Sequence, residues 1–146
     1  MKKLSTFKID VPIYNATVVF RLGNILDLPK DLQKSYDIDI EEDDKSLKGL
    51  GGITLNLEYE YGISNTFVVA IDNFWNYALS YTLPLVHHEL IHFGNMLIGN
   101  RGMRSSDKDD ENLAYISQYV FDKFLCKICI DDLKNLTEKE NENEHN

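Results

Sequence analysis

The sequence predicts an α+β domain: a small antiparallel sheet followed by two helices. Three observations carry this. Apolar residues alternate with a period of two through the first half and switch to a helical period of 3.6 after Trp75. A 146-residue chain with 43% hydrophobic and 11% aromatic residues is long and apolar enough for one core, and too short for two ordinary domains. The closing residues 137–146 are polar and charged, so the domain is expected to span residues 1–136 with a disordered acidic tail after it.

Each element has a local reason. Thr17 to Leu22 is β-branched and aromatic, follows the turn-prone Tyr14-Asn15, and comes after an edge-like segment containing Pro12. A short helix is expected between Asp27 and Tyr36, with Asp27 as N-cap and Pro29 in its first turn. The acidic run Glu41 to Asp44 and the glycines at 49, 51 and 52 suggest a mobile loop. From Ile53 to Tyr61 alternation is clean. Ile53, Leu55, Leu57, Tyr59 and Tyr61 share one face, and Thr54, Asn56, Glu58 and Glu60 the other. Gly62 to Asn65 would turn this strand into a hairpin partner, Thr66 to Ile71. A first long helix is expected from about Pro84 to Ile98, ended by Gly99, and a second from about Asp109 to Leu136.

Charge narrows the function classes. With 24 acidic against 15 basic residues the net charge is −9, which argues against binding nucleic acid or anionic membranes. No stretch reaches the length of a transmembrane helix, and the basic start Met1 to Lys8 never enters an apolar run, so a cytoplasmic location is expected. Two cysteines, Cys126 and Cys129, are too few for a disulfide framework. Their C-x-x-C lies well inside the second helix rather than at its start, so both are expected to be ordinary semi-buried thiols.

The chemistry is concentrated on the first long helix, in His88-Glu89-Leu90-Ile91-His92. Two histidines four apart differ by about 40° in bearing and one turn in height, so both imidazoles can reach one zinc ion. Glu89 lies about 60° from His92, where its carboxylate can hydrogen-bond a water without itself ligating. Val86, Leu90, Phe93, Leu97 and Ile98 fall opposite and are expected to anchor the helix to the sheet, while Asn95 and Gly99 continue the histidine face. A catalytic zinc normally has three protein ligands. Glu111, opening the second helix nineteen residues after His92, is the leading third ligand, and Asp107, Asp109 and Asp110 are its rivals. His87 points about 100° away and is expected on the rim; His145 lies in the tail.

H-E-x-x-H with a glutamate on the next helix resembles the gluzincin class of metallohydrolases, typified by thermolysin. Glu111-Asn112-Leu113-Ala114-Tyr115, the opening Val11-Pro12-Ile13-Tyr14 and the short length also resemble small metallopeptidases encoded by phages and prophages. The resemblance is specific at residues 88–92 and 111–115. It implies a minimal zincin core, a Zn2+ cofactor held by His88, His92 and Glu111, and a peptide or protein substrate. Tyr115 stands where thermolysin-like enzymes carry an aspartate. It is a candidate catalytic residue, able to donate to a ligand carboxylate or an oxyanion, while Gln118 and Asp122 on the same face are expected to be solvated. The metzincin pattern fails, since Asn95 replaces its glycine and no third histidine follows.

The expected function is thus a zinc-dependent hydrolase, a peptidase in which Glu89 is the general base. Strand 66–71 could take an extended peptide by β-augmentation. The alternative is a zincin-like binding or accessory protein, such as a phage component, with a retained metal site and no turnover. A purely structural metal is a third reading, but it leaves Glu89 without a purpose.

Overall fold

The computed structural model describes residues 3–103 and 111–128. Four strands, β1 (Thr6–Val11), β2 (Ala16–Arg21), β3 (Gly52–Leu55) and β4 (Thr66–Ile71), form one sheet in the order β1-β2-β4-β3. The helices are α1 (Leu28–Tyr36), α2 (Asp44–Leu47), α3 (Leu57–Tyr61), α4 (Leu79–Asn100) and α5, helical throughout 111–128. The α+β class follows from the sequence as expected. The sheet, however, is mixed rather than antiparallel: β1 and β3 run antiparallel to their neighbours, while β2 and β4 pair in parallel.

That parallel pair explains a second difference, the covering of both sheet faces. Phe67, Val69 and Ile71 of β4 point into a core shared with Val86, Leu90, Phe93 and Leu97 of α4 and Ile116, Val120 and Phe124 of α5. Val68 and Ala70, pointing the other way, meet Leu28 and Leu32 of α1, Leu47 of α2 and Leu57 of α3. A strand apolar at every position from 67 to 71 must be covered on both sides, which is characteristic of parallel pairing. Phe124 ties α5 down through ring contacts with Phe20 at 4.9 Å and Phe74 at 5.6 Å.

Three local expectations change. Strand 53–61 stops at Leu55, because the Asn56 side chain accepts from the Tyr59 amide and caps α3, which Gly62 ends at φ 65°. Leu57 and Tyr61 then share a buried helical face, and Tyr59 is 81% exposed. β3 still pairs antiparallel with β4, Leu55 opposite Val68, so the two expected hairpin partners do meet. The acidic loop is not formless: Asp43 and Ser46 make a reciprocal capping box around α2, and Leu47 is fully buried. Finally, α4 begins five residues before Pro84. The proline removes one helical hydrogen bond, but Ser80 and Pro84 are exposed, so water can serve the carbonyl it leaves unpaired.

The helix expected from Asp27 is present as α1, with Asp27 preceding it and proline in its first turn. α5 matches the second long helix across 111–128; its expected ends, the tail 137–146, Asp107, Asp109, Asp110, Cys129 and His145 lie outside the described residues. Cys126 is exposed rather than semi-buried. Among the described residues no helix is long and apolar enough to cross a membrane.

Candidate metal centre

The faces of α4 separate by side-chain size and polarity. Val86, Leu90, Phe93 and Leu97 are fully buried against the sheet, and Ile98 is buried as well, as their spacing requires. Next to that stripe, edge strand β3 runs along α4. A methyl group on Gly51 would sit 3.1 Å from Leu85 Cδ1, Thr54 bonds Glu89, and Asn56 bonds Asn100. On another side α5 crosses closely at Gly94, where an added Cβ would lie 2.4 Å from Leu113 Cδ1, and the Ser117 hydroxyl reaches the Leu90 carbonyl at 3.5 Å. The remaining face carries His88 and His92, both exposed.

The histidines come together as their spacing predicts, with Nε2 atoms 3.1 Å apart and ring centroids 4.8 Å apart. Zinc–imidazole bonds of about 2.0–2.1 Å to two nitrogens at that separation subtend roughly 100° at the metal, close to a tetrahedral angle. Without an ion the same contact is one N–H···N hydrogen bond, its direction set by the tautomers of the two rings. The spacing of the pair suits two ligands of one ion.

Glu89 is only 7% exposed. Its carboxylate Oε2 accepts a 2.6 Å hydrogen bond from Thr54 Oγ1, and its Cγ packs where a Cβ on Gly52 would approach to 3.1 Å. The glutamate thus lies between α4 and β3, beside the histidine face.

Glu111 is not brought to the pair. It is exposed at the start of the described part of α5, and among the described residues no three side chains of His, Cys, Asp and Glu are gathered closely enough to hold one ion. The reason is the bearing of α5. It packs on Gly94, which lies about 120–160° around α4 from the two histidines. Tyr115, 54% exposed, is placed away from α4 as well: it stacks loosely on Tyr119 and lines a groove with Val11, Pro12 and Ile13. His87 meets Phe121 edge-on at 5.9 Å and lines a groove between α4 and α5. Gln118 and Asp122 are exposed.

Sequence reasoning missed the polar cluster beyond the site. The Arg101 guanidinium donates to the Tyr14 and Asn15 carbonyls at 2.9 and 3.0 Å and pairs with both oxygens of Glu58. Asn100 bonds Glu58 and exchanges hydrogen bonds with Asn56. Arg101 beside Glu58 holds that carboxyl below its ordinary range, against the opposing effect of burial. The available signal was Asn56 and Thr54 on one side of a strand, two polar residues that turned out buried and face α4 rather than water.

Compared with known proteins, the chain matches no family model, no curated protein and no solved structure.

Proposed function

We propose that this chain is a zinc-dependent hydrolase of the gluzincin type, acting on peptides. One observation supports the reading above others: two exposed imidazoles one helical turn apart, with Nε2 atoms 3.1 Å from each other, flank a glutamate whose carboxylate is fixed by a hydrogen bond. His88 and His92 would hold the ion, with Glu111 as the third ligand of the proposal. Bound zinc would supply a Lewis acid for the scissile carbonyl and lower the pKa of the attacking water. Glu89 would take the proton from that water and return it to the leaving amine.

Strand 66–71 cannot receive the peptide, because β4 is flanked by β2 and β3. The edge next to α4 is β3, so an extended substrate would add there, alongside Glu89. Tyr115 is given no step, since its groove with residues 11–13 and Tyr119 includes no residue of α4.

A second reading is favoured by the place of Glu111 away from the histidine pair. In it the protein is a zincin-like binding or accessory protein that keeps two histidines and has no turnover. Glu89→Gln separates the two, because it preserves size while removing the proton acceptor. The enzyme reading expects unchanged zinc content and at least about a 10²-fold loss of peptide hydrolysis. Undiminished cleavage by a clean, zinc-loaded Glu89→Gln sample would refute the general-base role. Zinc-loaded parent protein that cleaves nothing in a mixed peptide library would favour the binding protein.

A further inference from the structure

We infer that Thr54, on the edge strand β3, is the positioning residue for the Glu89 carboxylate; its catalytic consequence rests on the general-base reading above. The contact is built rather than incidental. Thr54 and Glu89 are 8% and 7% exposed, and their side chains meet at 2.6 Å. That distance is a short O–H···O hydrogen bond in which the threonine hydroxyl donates to the carboxyl oxygen.

Thr54 Oγ1 has one proton and two acceptors on the same residue, the Glu89 carboxylate at 2.6 Å and its main-chain carbonyl at 3.0 Å. The shorter contact is to the carboxylate, and in a helix the carbonyl has an amide donor of its own. Threonine is stiff at χ1, so its hydroxyl is aimed by the strand rather than by a mobile side chain. The strand is in turn held by β4, with Thr54 opposite the fully buried Val69.

Gly52 completes the niche. It stands two residues back on the same face of β3, and the absence of a Cβ lets Glu89 Cγ pack against the strand. With Oε2 held by the strand, rotation about the last side-chain bond is restricted before any substrate arrives. The second oxygen is then presented in a fixed direction. Fixing a base in its working orientation lowers the entropy cost of the proton transfer itself. A residue that acts this way affects turnover and leaves metal binding alone.

The test compares Thr54→Val, which keeps shape and removes the donor, with Thr54→Ser, which keeps the donor. Zinc content, kcat and KM on a peptide cleaved by the parent are measured for each, alone and combined with Glu89→Gln. The expected result is full zinc content, a kcat lowered about tenfold or more in Thr54→Val with KM little changed, and recovery to within about threefold in Thr54→Ser. In the Glu89→Gln background Thr54→Val should lower kcat no further. An equal fractional loss in both backgrounds overturns the positioning role. A metal-free readout decides the contact separately: the urea midpoints of Thr54→Val, Glu89→Ala and the double variant. The double variant should be no less stable than the weaker single variant, and strictly additive losses would overturn the proposal. If that coupling is found but the zinc-loaded parent has no turnover, the general-base reading fails, the catalytic part of this inference falls with it, and the contact stands.

Discussion

Replacing Arg101 by methionine removes the guanidinium while keeping an apolar stem of similar reach, and the structure sets the scale of the loss. Three groups lose a donor at once: the carbonyls of Tyr14 and Asn15 and the carboxylate of Glu58. A hydrogen bond involving a charged group contributes about 1.5–3 kcal/mol, and leaving a part-buried partner behind adds to the cost. The pair is not deep, with side chains 25% and 20% exposed, so water screens part of the interaction. Asn100 and the Asn65 amide also continue to serve Glu58. We therefore expect Arg101→Met to cost about 2–3 kcal/mol, a large share of the ~5–15 kcal/mol that holds a domain folded. With a urea dependence of about 1–3 kcal/mol per molar, the unfolding midpoint should fall by roughly 0.7–3 M.

The assay is urea denaturation of the parent, Arg101→Met, Glu58→Gln and the double variant, repeated from neutral to acid pH. The double variant should be more stable than the sum of single losses predicts, because either change alone already breaks the pair. The pH dependence has a definite sign. The folded carboxyl of Glu58 lies below its ordinary value of 4.5, so its contribution is fully present above that pH and fades as pH falls through the folded value. The gap between parent and Arg101→Met should accordingly narrow below about pH 4.5. Additive losses, or a gap that does not change with acid, would refute the reasoning.

Zinc should raise the unfolding midpoint of the parent, by about 2.7 kcal/mol of stability at a hundred times its dissociation constant, and His88→Ala with His92→Ala should abolish the effect. Glu111→Ala should weaken zinc affinity in titrations; an undiminished affinity there, with a loss on changing Asp107, Asp109 or Asp110, would transfer the third position to one of those aspartates. Gly52→Ala should cost about 1–3 kcal/mol by overpacking, since its Cβ would meet Ile71 Cδ1 at 3.0 Å and both the Ala70 carbonyl and Glu89 Cγ at 3.1 Å; a denaturation midpoint equal to the parent's would show that β3 gives way freely.

What could be read from the sequence was whatever depends on period. The core stripe of α4, the pairing of its two histidines, the strand over 17–22 and the short helix following Asp27 are all set by spacing within one element. What could not be read depends on how elements pack. The alternation over 57–61 mimics a strand, yet Asn56 and Gly62 supply a cap at each end and the helix wins. The unbroken apolar run of β4 reflects the covering of both its faces, which an ordinary hairpin strand does not require. Thr54 and Asn56 share the polar face of the alternating stretch, yet a polar side chain on a buried face needs only a partner, and α4 provides one for each.

The same distinction governs the candidate site. His88, Glu89 and His92 lie on one helix, which sets the bearings of all three, while the Glu89 carboxylate takes its direction from Thr54 of β3. Glu111 belongs to another helix, and its reach depends on where α5 crosses α4. That crossing is set at Gly94, the one position along this face where the backbone lies bare enough for Leu113 to press against it. The surfaces of α4 are thus assigned: large apolar residues to the sheet, Glu89 to β3, Asn100 to the start of α3, Gly94 to α5, and the histidines to the outside. A two-histidine pair alone leaves zinc short of the three protein ligands usual in a catalytic site. A glutamate buried in a niche formed by Gly52 and Thr54 is an expensive feature in a protein that only binds. The first fact favours a binding protein and the second an enzyme. The pairing of Thr54 with Glu89 is the observation that supports the enzyme reading, because exposed histidines can persist on a helix at little cost, whereas a buried carboxylate must be accommodated by the strand beside it.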